Sequence, residues 1–559
     1  MKFSYLIIVA ALLIASLLWI VGDYSARPPA EFHDPVYARL KESGEIKRAK
    51  QMPNQWFYMQ RAYPHKTIPQ ERYLDALAQM KALREKSEAR QPQDITWTEA
   101  GPTNIPGRIT DLAVHPLNAN IVYVGSAAGG VFKTTDGGAS WTAIFDDQGV
   151  QSIGALALHP GNPDVIYVGT GEANASGDSY EGTGIYKSTN SGTTWTYQGL
   201  PQSYHIGRIL IDASNPDSDF IYVAVLGRLF GTNPDRGVYR SADGGNTWQQ
   251  MLYVDDTTGC VDIAVDTSYH YLYAAMWHRW RSPAERRVGG YESGIYRSTD
   301  YGHTWTRLSN GLPVPADTVG RIGLSVESVS HNVYAIYANH PGRFMGVYKS
   351  ANGGWSWAQI NDLALADIYS GFGWYFGNIR VAPGSPNIVY ALGVDLFKST
   401  NGGNSWFYAD AGIHVDHHAF QFINGSTDMI YDGCDGGVNF TDNGTASWTR
   451  LYEMHNTQFY AITIDYSNPQ RLYGGTQDNG TMRTLTGDLG DWDRILGGDG
   501  FYTVVDYTNP DIIYAEYQWG YLYKSTNGGA EFYWALGDMD YYADRHNWCT
   551  PFAIDPIDH

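Results

Sequence analysis

The chain has 559 residues, 43% of them hydrophobic and 14% aromatic, enough apolar material for a large packed core. Its net charge of −20 is carried from residue 96 onward, where 24 basic residues face 48 acidic ones, and this excludes a nucleic-acid backbone as partner. Three cysteines, Cys260, Cys434 and Cys549, are too few, too distant and odd in number for a disulfide framework.

Residues 1–22 read as a targeting segment. After Lys2, the run YLIIVAALLIASLLWIV (5–21) is apolar apart from Ser16 and one tyrosine hydroxyl. Its length falls between a signal-peptide core and a comfortable membrane span, so export is expected, with cleavage or with retention as an N-terminal anchor. The body is thus expected outside the cytoplasm (secreted, periplasmic or cell-surface), touching membrane only through that anchor. Residues 23–95 read as a helical or irregular arm. Tyr73–Arg90 carries helix formers with apolar spacing near 3.6, and Pro64, Pro69 and Pro92 punctuate the segment. Its aromatic residues Trp56, Phe57, Tyr58 and Tyr63 are expected to pack on the rim of the main domain.

From Trp97 one unit recurs every 40–57 residues, and that period decides the fold. Its clearest copies are GVFKTTDGGASW (130–141), GIYKSTNSGTTW (184–195), GVYRSADGGNTW (237–248), GIYRSTDYGHTW (294–305), GVYKSANGGWSW (346–357) and DLFKSTNGGNSW (395–406). Looser copies are GVNFTDNGTASW (437–448) and YLYKSTNGGAEF (521–532). Upstream of each lies a β run containing a tyrosine, and a turn rich in Asn, Pro, Asp or Ser comes before that. Strand, turn, strand, hairpin, strand describes a four-stranded antiparallel blade, so the fold class is all-β: a β-propeller with a short helical N-terminal arm. The tryptophan ladder Trp97, Trp141, Trp195, Trp248, Trp305, Trp357, Trp406, Trp448, Trp492 and Phe532 gives nine units and a fragment. Either one large ring or two propellers fits that count, with blades 1–7 over 96–455 and further, truncated blades over 456–559. Trp97-Thr98 looks like an outer strand closing a ring, and FAIDPIDH (552–559) like the inner strand of another unit.

The Asp or Asn of each box is expected to accept hydrogen bonds from turn amides beside glycines that allow positive φ, with the hydroxyl before the tryptophan helping to tie the loop. The boxes are therefore scaffold rather than eight ligand sites. They resemble the bacterial neuraminidase repeats, or Asp-boxes, of sialidases, xyloglucanase-type glycoside hydrolases and the sortilin receptor family, a resemblance that covers residues 97 to 559. The phrases GRITDLAVHP, YVGSAAGGVFKTTDGG, YVGTGEAN, HVDHHA, GGTQDNG and GGDGFY are also similar to large exported bacterial proteins called sortilin-like or glycosyl-hydrolase-like.

Aligning units by their turn prolines places Arg108, Ser152, Arg208, Cys260, Arg321, Asn378 and His417 at one inner-strand position. Arg108, Arg208, Arg321 and His417 are the ligand-binding candidates. In sialidases such arginines grip a carboxylate, which the guanidinium fork suits; otherwise they pair with carboxylates at the channel mouth. Glycoside hydrolysis needs two carboxylates across a cleft. The xyloglucanase pattern implies an Asp two residues before a Gly-Gly in the first blade, where this chain has Ala127. A second family carboxylate corresponds to Asp499 in Gly498-Asp499-Gly500-Phe501. Asp478, Asp435, Asp432 and Glu172 are the other candidates, and the sequence assigns the catalytic role to none of the five. In His414-Val415-Asp416-His417-His418, strand alternation would put His414, Asp416 and His418 on one face as metal candidates, yet three ligands from one strand are awkward and a hydrogen-bonded strand end is expected instead. No cofactor is expected.

Two function classes remain. The first is a sortilin-like scaffold that captures a peptide, protein or glycan in its channel or on its axial face. The second is a sialidase- or xyloglucanase-like glycoside hydrolase acting on extracellular carbohydrate. The alanine at 127 favours binding; the carboxylate-rich strand ends keep hydrolysis open.

Overall fold

The computed structural model describes residues 55–65, 67–88, 98–213, 219–282, 285–537 and 546–557. The expected targeting segment and Trp97 lie outside them. Two helices, Gln55–Ala62 and Gln70–Glu88, precede nine four-stranded antiparallel sheets. In every sheet the four strands pair in chain order, as expected where most connections are short turns that fold the chain back beside itself. The protein is a β-propeller.

Seven sheets form a closed ring over 109–451. The innermost strand of each packs on that of the next, and His417–Phe422 of the seventh packs against Ile109–Val114 of the first. Inner-strand side chains stitch the ring circumferentially. Asp111 accepts the amide of Leu156 at 2.9 Å, Asp262 that of Leu324 at 2.9 Å, and the Ser325 hydroxyl that of Val381 at 3.0 Å. At the seam, the Tyr431 hydroxyl donates to the Ala119 carbonyl at 3.3 Å, and Ile109, Ala419 and Val438 share one core. The eighth and ninth sheets (459–496 and 500–534) pack inner strand to inner strand beside the ring.

All eight boxes use one hydrogen-bond scheme. The Ser or Thr two residues before the Asp or Asn donates to its Oδ1, as Ser399 does to Asn401 at 3.0 Å, and accepts an amide two residues beyond it, here Gly403 at 2.8 Å. Oδ1 also accepts the amide four residues on. The hydroxyl there shows why Asp and Asn interchange: Thr247 Oγ1 donates to Asp243 Oδ2, whereas Asn401 Nδ2 donates to Ser405 Oγ. Both arrangements satisfy every group without an ion. These bonds hold the carboxyls of Asp136 and Asp243 down at about 2. The turns therefore keep their bonds above the ordinary carboxylate range and lose them as pH falls towards 2.

Several of the box tryptophans tie a sheet to the one before it. Trp195, Trp248, Trp406 and Trp448 donate from Nε1 to carbonyls just past the preceding outer strand, those of Ile144, Gln198, Asn361 and Ala409. Trp492 of the eighth sheet makes the same bond, at 2.9 Å, to the carbonyl of Ala100. Residues 98–104 thus stand where a preceding outer strand would be, docked on the eighth sheet. Residues 552–557, expected as an inner strand, join no sheet.

The arm departs from expectation. Tyr58 packs against Phe230 at 5.1 Å, but Tyr63 is 77% exposed, and the side chains of Trp56 and Phe57 are not described. The second helix buries little beyond Leu74 and Leu77, and Leu83 of its expected apolar stripe faces solvent. Because the box turn is satisfied equally by an amide or a carboxylate, Asn401→Asp should leave Tm within about 1 °C, while Asn401→Ala should lower it by about 2–4 °C in thermal unfolding followed by circular dichroism.

Candidate functional site

The chemistry gathers where the ring meets the eighth and ninth sheets. The closeness of the two parts is set at Gly107, whose amide donates to Asn456 Oδ1 at 3.0 Å; a Cβ there would sit 2.4 Å from the Asn456 carbonyl oxygen. Arg108 follows, 3% exposed, at the start of the first inner strand. Its Nε donates to Glu172 Oε1 at 2.9 Å and its Nη1 to Asp478 Oδ2 at 3.0 Å, and its guanidinium lies 5.4 Å from the centre of the Tyr375 ring. Glu172 belongs to the long loop after strand Ile166–Thr170 of the ring. Asp478 belongs to the turn after strand Leu472–Thr476 of the eighth sheet. One arginine therefore joins both parts.

Further carboxyls surround this pair. The amide of Asp478 donates to Asp499 Oδ1, and Asp435 Oδ1 lies 2.7 Å from His418 Nε2. Asp416 lies close enough for its charge to oppose those of Asp478 and Asp435. Asp416 and Asp478 both hold positive φ, 72° and 63°, a conformation non-glycine residues adopt at a cost and one that aims these carboxyls into the cluster. Burial, and then the charge of Asp478, push Asp435 and Asp499 well above the usual carboxylate range and Asp416 up to about 8. Glu172 is raised by burial against the pull of Arg108. Buried and half-buried carboxyls this close cannot all ionise, so the cluster holds protons at neutral pH.

Beside it opens a cleft of about 500 Å³, lined by Gln151, Ser152, Asp178, Tyr180 and Glu181 from the ring and by Gln458, Tyr460 and Tyr502 from the eighth and ninth sheets. The Tyr460 hydroxyl donates to Asp178 Oδ2 at 3.2 Å, and the Tyr460 ring stacks on Phe501 at 4.6 Å. Asp178 adds its charge to the forces raising both Asp499 and Glu172, so cleft and cluster are electrostatically one site.

Four of the five candidate carboxylates, Glu172, Asp435, Asp478 and Asp499, meet here. Asp432 does not. It is fully buried within the seventh sheet, where both its oxygens lie 2.9–3.0 Å from His417 Nδ1. Burial works against a charged His417, but Asp432 and Asp410 on either side prevail and raise it to about 10. His417 thus faces a private ion pair, apart from the arginines of its register. Arg208 pairs with Asp262 at 3.1 Å and approaches Asp111 at 3.9 Å, and Arg321 donates to the Tyr375 carbonyl at 2.9 Å. Arg208 and Arg321 line one small cavity at the ring's axis, and Arg108 is engaged by Glu172 and Asp478 instead.

The proposed common face of His414, Asp416 and His418 is corrected. The strand begins at His417, so residues 414–416 form a turn in which alternation does not apply. His414 Nε2 bonds the Asp478 carbonyl at 3.1 Å while His418 turns to Asp435, and among the described residues no group of His, Cys, Asp or Glu is arranged to hold a metal. Asp178 and Tyr460 were missed. The available signal was the length of the loop between residues 171 and 184, longer than the two- or three-residue turns in the same place of the first and seventh sheets.

No family model matches the chain. It is similar to two curated xyloglucanases: 25% identical over 371 residues to one from Paenibacillus sp, covering 58% of this chain and 33% of that one, and 24% identical over 340 residues to one from Hypocrea jecorina (strain QM6a), covering 54% and 38%. The chain thus spans little more than a third of the length of these relatives. Among solved structures, it superposes on the GH74 xyloglucanase of Xanthomonas campestris with a TM-score of 0.59 at 16% identity, over 80% of this chain and 69% of that one. An ancestral GH74 enzyme gives a TM-score of 0.54 at 18% identity, over 79% and 63%. These likenesses show the propeller fold.

The cluster makes a pH prediction. A carboxyl raised to about 8 in the folded chain binds its proton more tightly than in the unfolded one, so stability falls as pH rises from about 4 through 8. The His417 pair acts in the same direction: it is fully present below the ordinary histidine range and is lost as pH rises through about 10. Wild type should therefore lose Tm between pH 5 and pH 9, and Asp416→Asn should show a shallower loss and a higher Tm than wild type at pH 9, as read by scanning calorimetry.

Proposed function

We propose that the chain is a glycoside hydrolase acting on an extracellular β-glucan such as xyloglucan, in the cleft between the ring and the eighth and ninth sheets. The observation that carries this is the buried, proton-holding carboxyl cluster beside an open, tyrosine-lined cleft. Glycosidic cleavage requires a carboxylic acid that keeps its proton near neutral pH and a second carboxylate that is ionised. Asp499 fits the first role, because burial and the charge of Asp478 push its carboxyl well above the usual carboxylate range. Asp178 fits the second, since it lines the cleft itself and is held by the Tyr460 hydroxyl. Similarity to xyloglucanases supports this reading over a peptide-binding scaffold. The tyrosines offer flat apolar faces to sugar rings, and the expected export would place the enzyme where such polysaccharides lie.

One observation favours a second reading, glycan binding without hydrolysis. The slot expected to hold an aspartate in xyloglucanase-type enzymes is Ala127, 2% exposed at the first-sheet edge beside the cleft, so any hydrolysis here depends on Asp178 instead.

Reducing-end release from xyloglucan and from mixed-linkage glucan distinguishes the two. The hydrolase reading predicts turnover that falls by about 10³-fold or more in Asp499→Asn, and by a comparable factor in Asp178→Asn, while glycan affinity is kept. Binding without turnover in wild type would establish the second reading, and the absence of both would remove both.

A further inference from the structure

The axis of the seven-sheet ring holds a cavity of about 40 Å³, lined among others by Thr110, Asp111, Glu172, Arg208, Arg321 and Asn378. That volume suits an ion or a few waters and is too small for a sugar. Its carboxylates are committed. Glu172 is held by Arg108, and Asp111 accepts two backbone amides and faces Arg208, which Asp262 also binds.

Arg321 is the exception. It is 92% buried, its Nη1 donates to the carbonyls of Tyr375 at 2.9 Å and Ala173 at 3.4 Å, and among the described residues no carboxylate stands within 4 Å of it. Arg279 and Arg236 behind it also bond backbone carbonyls: Arg279 those of Asn174 and Gly227, and Arg236 those of Leu226 and Arg228. Carbonyl dipoles solvate a guanidinium without cancelling its charge, and a guanidinium stays protonated at neutral pH. A guanidinium in low dielectric with no carboxylate within 4 Å among the described residues, on which Asp262 and Glu172 act only from farther off, attracts an anion to the small polar cavity beside it.

We infer that the axial cavity is a binding site for a small monovalent inorganic anion of the chloride class, held by Arg321. A tetrahedral dianion is too large for the space and is repelled by the carboxylates of Asp111 and Glu172; a metal cation is repelled by Arg208 and Arg321. The cavity shares Glu172 with the carboxyl cluster but no lining residue with the cleft, and the inference does not depend on hydrolysis.

The test uses the full chain exchanged into gluconate buffer, with bromide as the probe. Thermal unfolding should show a saturable rise of about 1–3 °C with bromide over gluconate at equal ionic strength, and Arg321→Gln should abolish it. Anomalous diffraction from bromide-soaked wild-type crystals should place one ion beside the Arg321 guanidinium. Equal Tm in bromide and gluconate, or bromide found only on the outer surface, would overturn the site. Should Arg321→Gln fail to fold, the two wild-type measurements decide it alone.

Discussion

The architecture around the cleft depends on one buried guanidinium. Arg108 takes Glu172 from a ring loop on one side and Asp478 from the eighth sheet on the other. Removing a charge from water costs several kcal/mol, returned only when geometry and hydrogen bonding are good; Arg108 meets that condition with charged partners on two sides and the Tyr375 ring close by. Its position fixes the turn at Asp478. The Asp478 amide in turn fixes Asp499, and the remaining carboxyls settle around them in protonation states that their mutual repulsion dictates. Without Arg108, Glu172 and Asp478 would lose their shared counter-charge, and the contact between ring and eighth sheet at this point would become repulsive.

The rest of the fold is a device for holding that contact still. Each sheet is locked at its outer turn by a hydroxyl, an Asp or Asn and two glycines or their equivalents. Several sheets are tied to a neighbour by the box tryptophan, and three are stitched near the axis by an acidic or hydroxyl side chain reaching a neighbouring amide. Repetition makes this frame rigid and chemically uniform, so what distinguishes one part of the ring from another lies in the loops. The loop after Ile166–Thr170 shows this: it supplies Glu172, Asp178, Tyr180 and Glu181, two of which pair with arginines while three line the cleft.

The periodic features were legible in the sequence and the convergent ones were not. Period and box spacing disclose nine sheets, the strand order and the turn chemistry, because those depend on residues close together in the chain. The unequal division into a seven-sheet ring and two further sheets rests on contacts between strands some three hundred residues apart, such as that between His417–Phe422 and Ile109–Val114. Arg108 was visible as a register position, and Glu172, Asp435, Asp478 and Asp499 as strand-end acids, but their meeting was not. Asp178 sits in an aperiodic loop set apart by its length but not by the spacing of its residues. His414 and Asp416 misled because alternation assumes extended backbone, and a positive φ at Asp416 ends that assumption one residue before the strand begins. The second helix kept its helical character yet left much of its apolar stripe in solvent, since helix propensity says nothing about whether a partner surface is present.

The proposed acid-assisted chemistry on a glycan rests on the sequence similarity to xyloglucanases, the tyrosine-lined cleft and the carboxyl cluster. All of this turns on carboxyls that keep their protons at neutral pH. Infrared difference spectroscopy of the full chain, titrated across neutral pH, reports this through the C=O stretch of protonated carboxyl groups. The account predicts a protonated-carboxyl band in wild type that persists at pH 7 and weakens in Asp499→Asn; a spectrum showing only ionised carboxylates at pH 7 would contradict it.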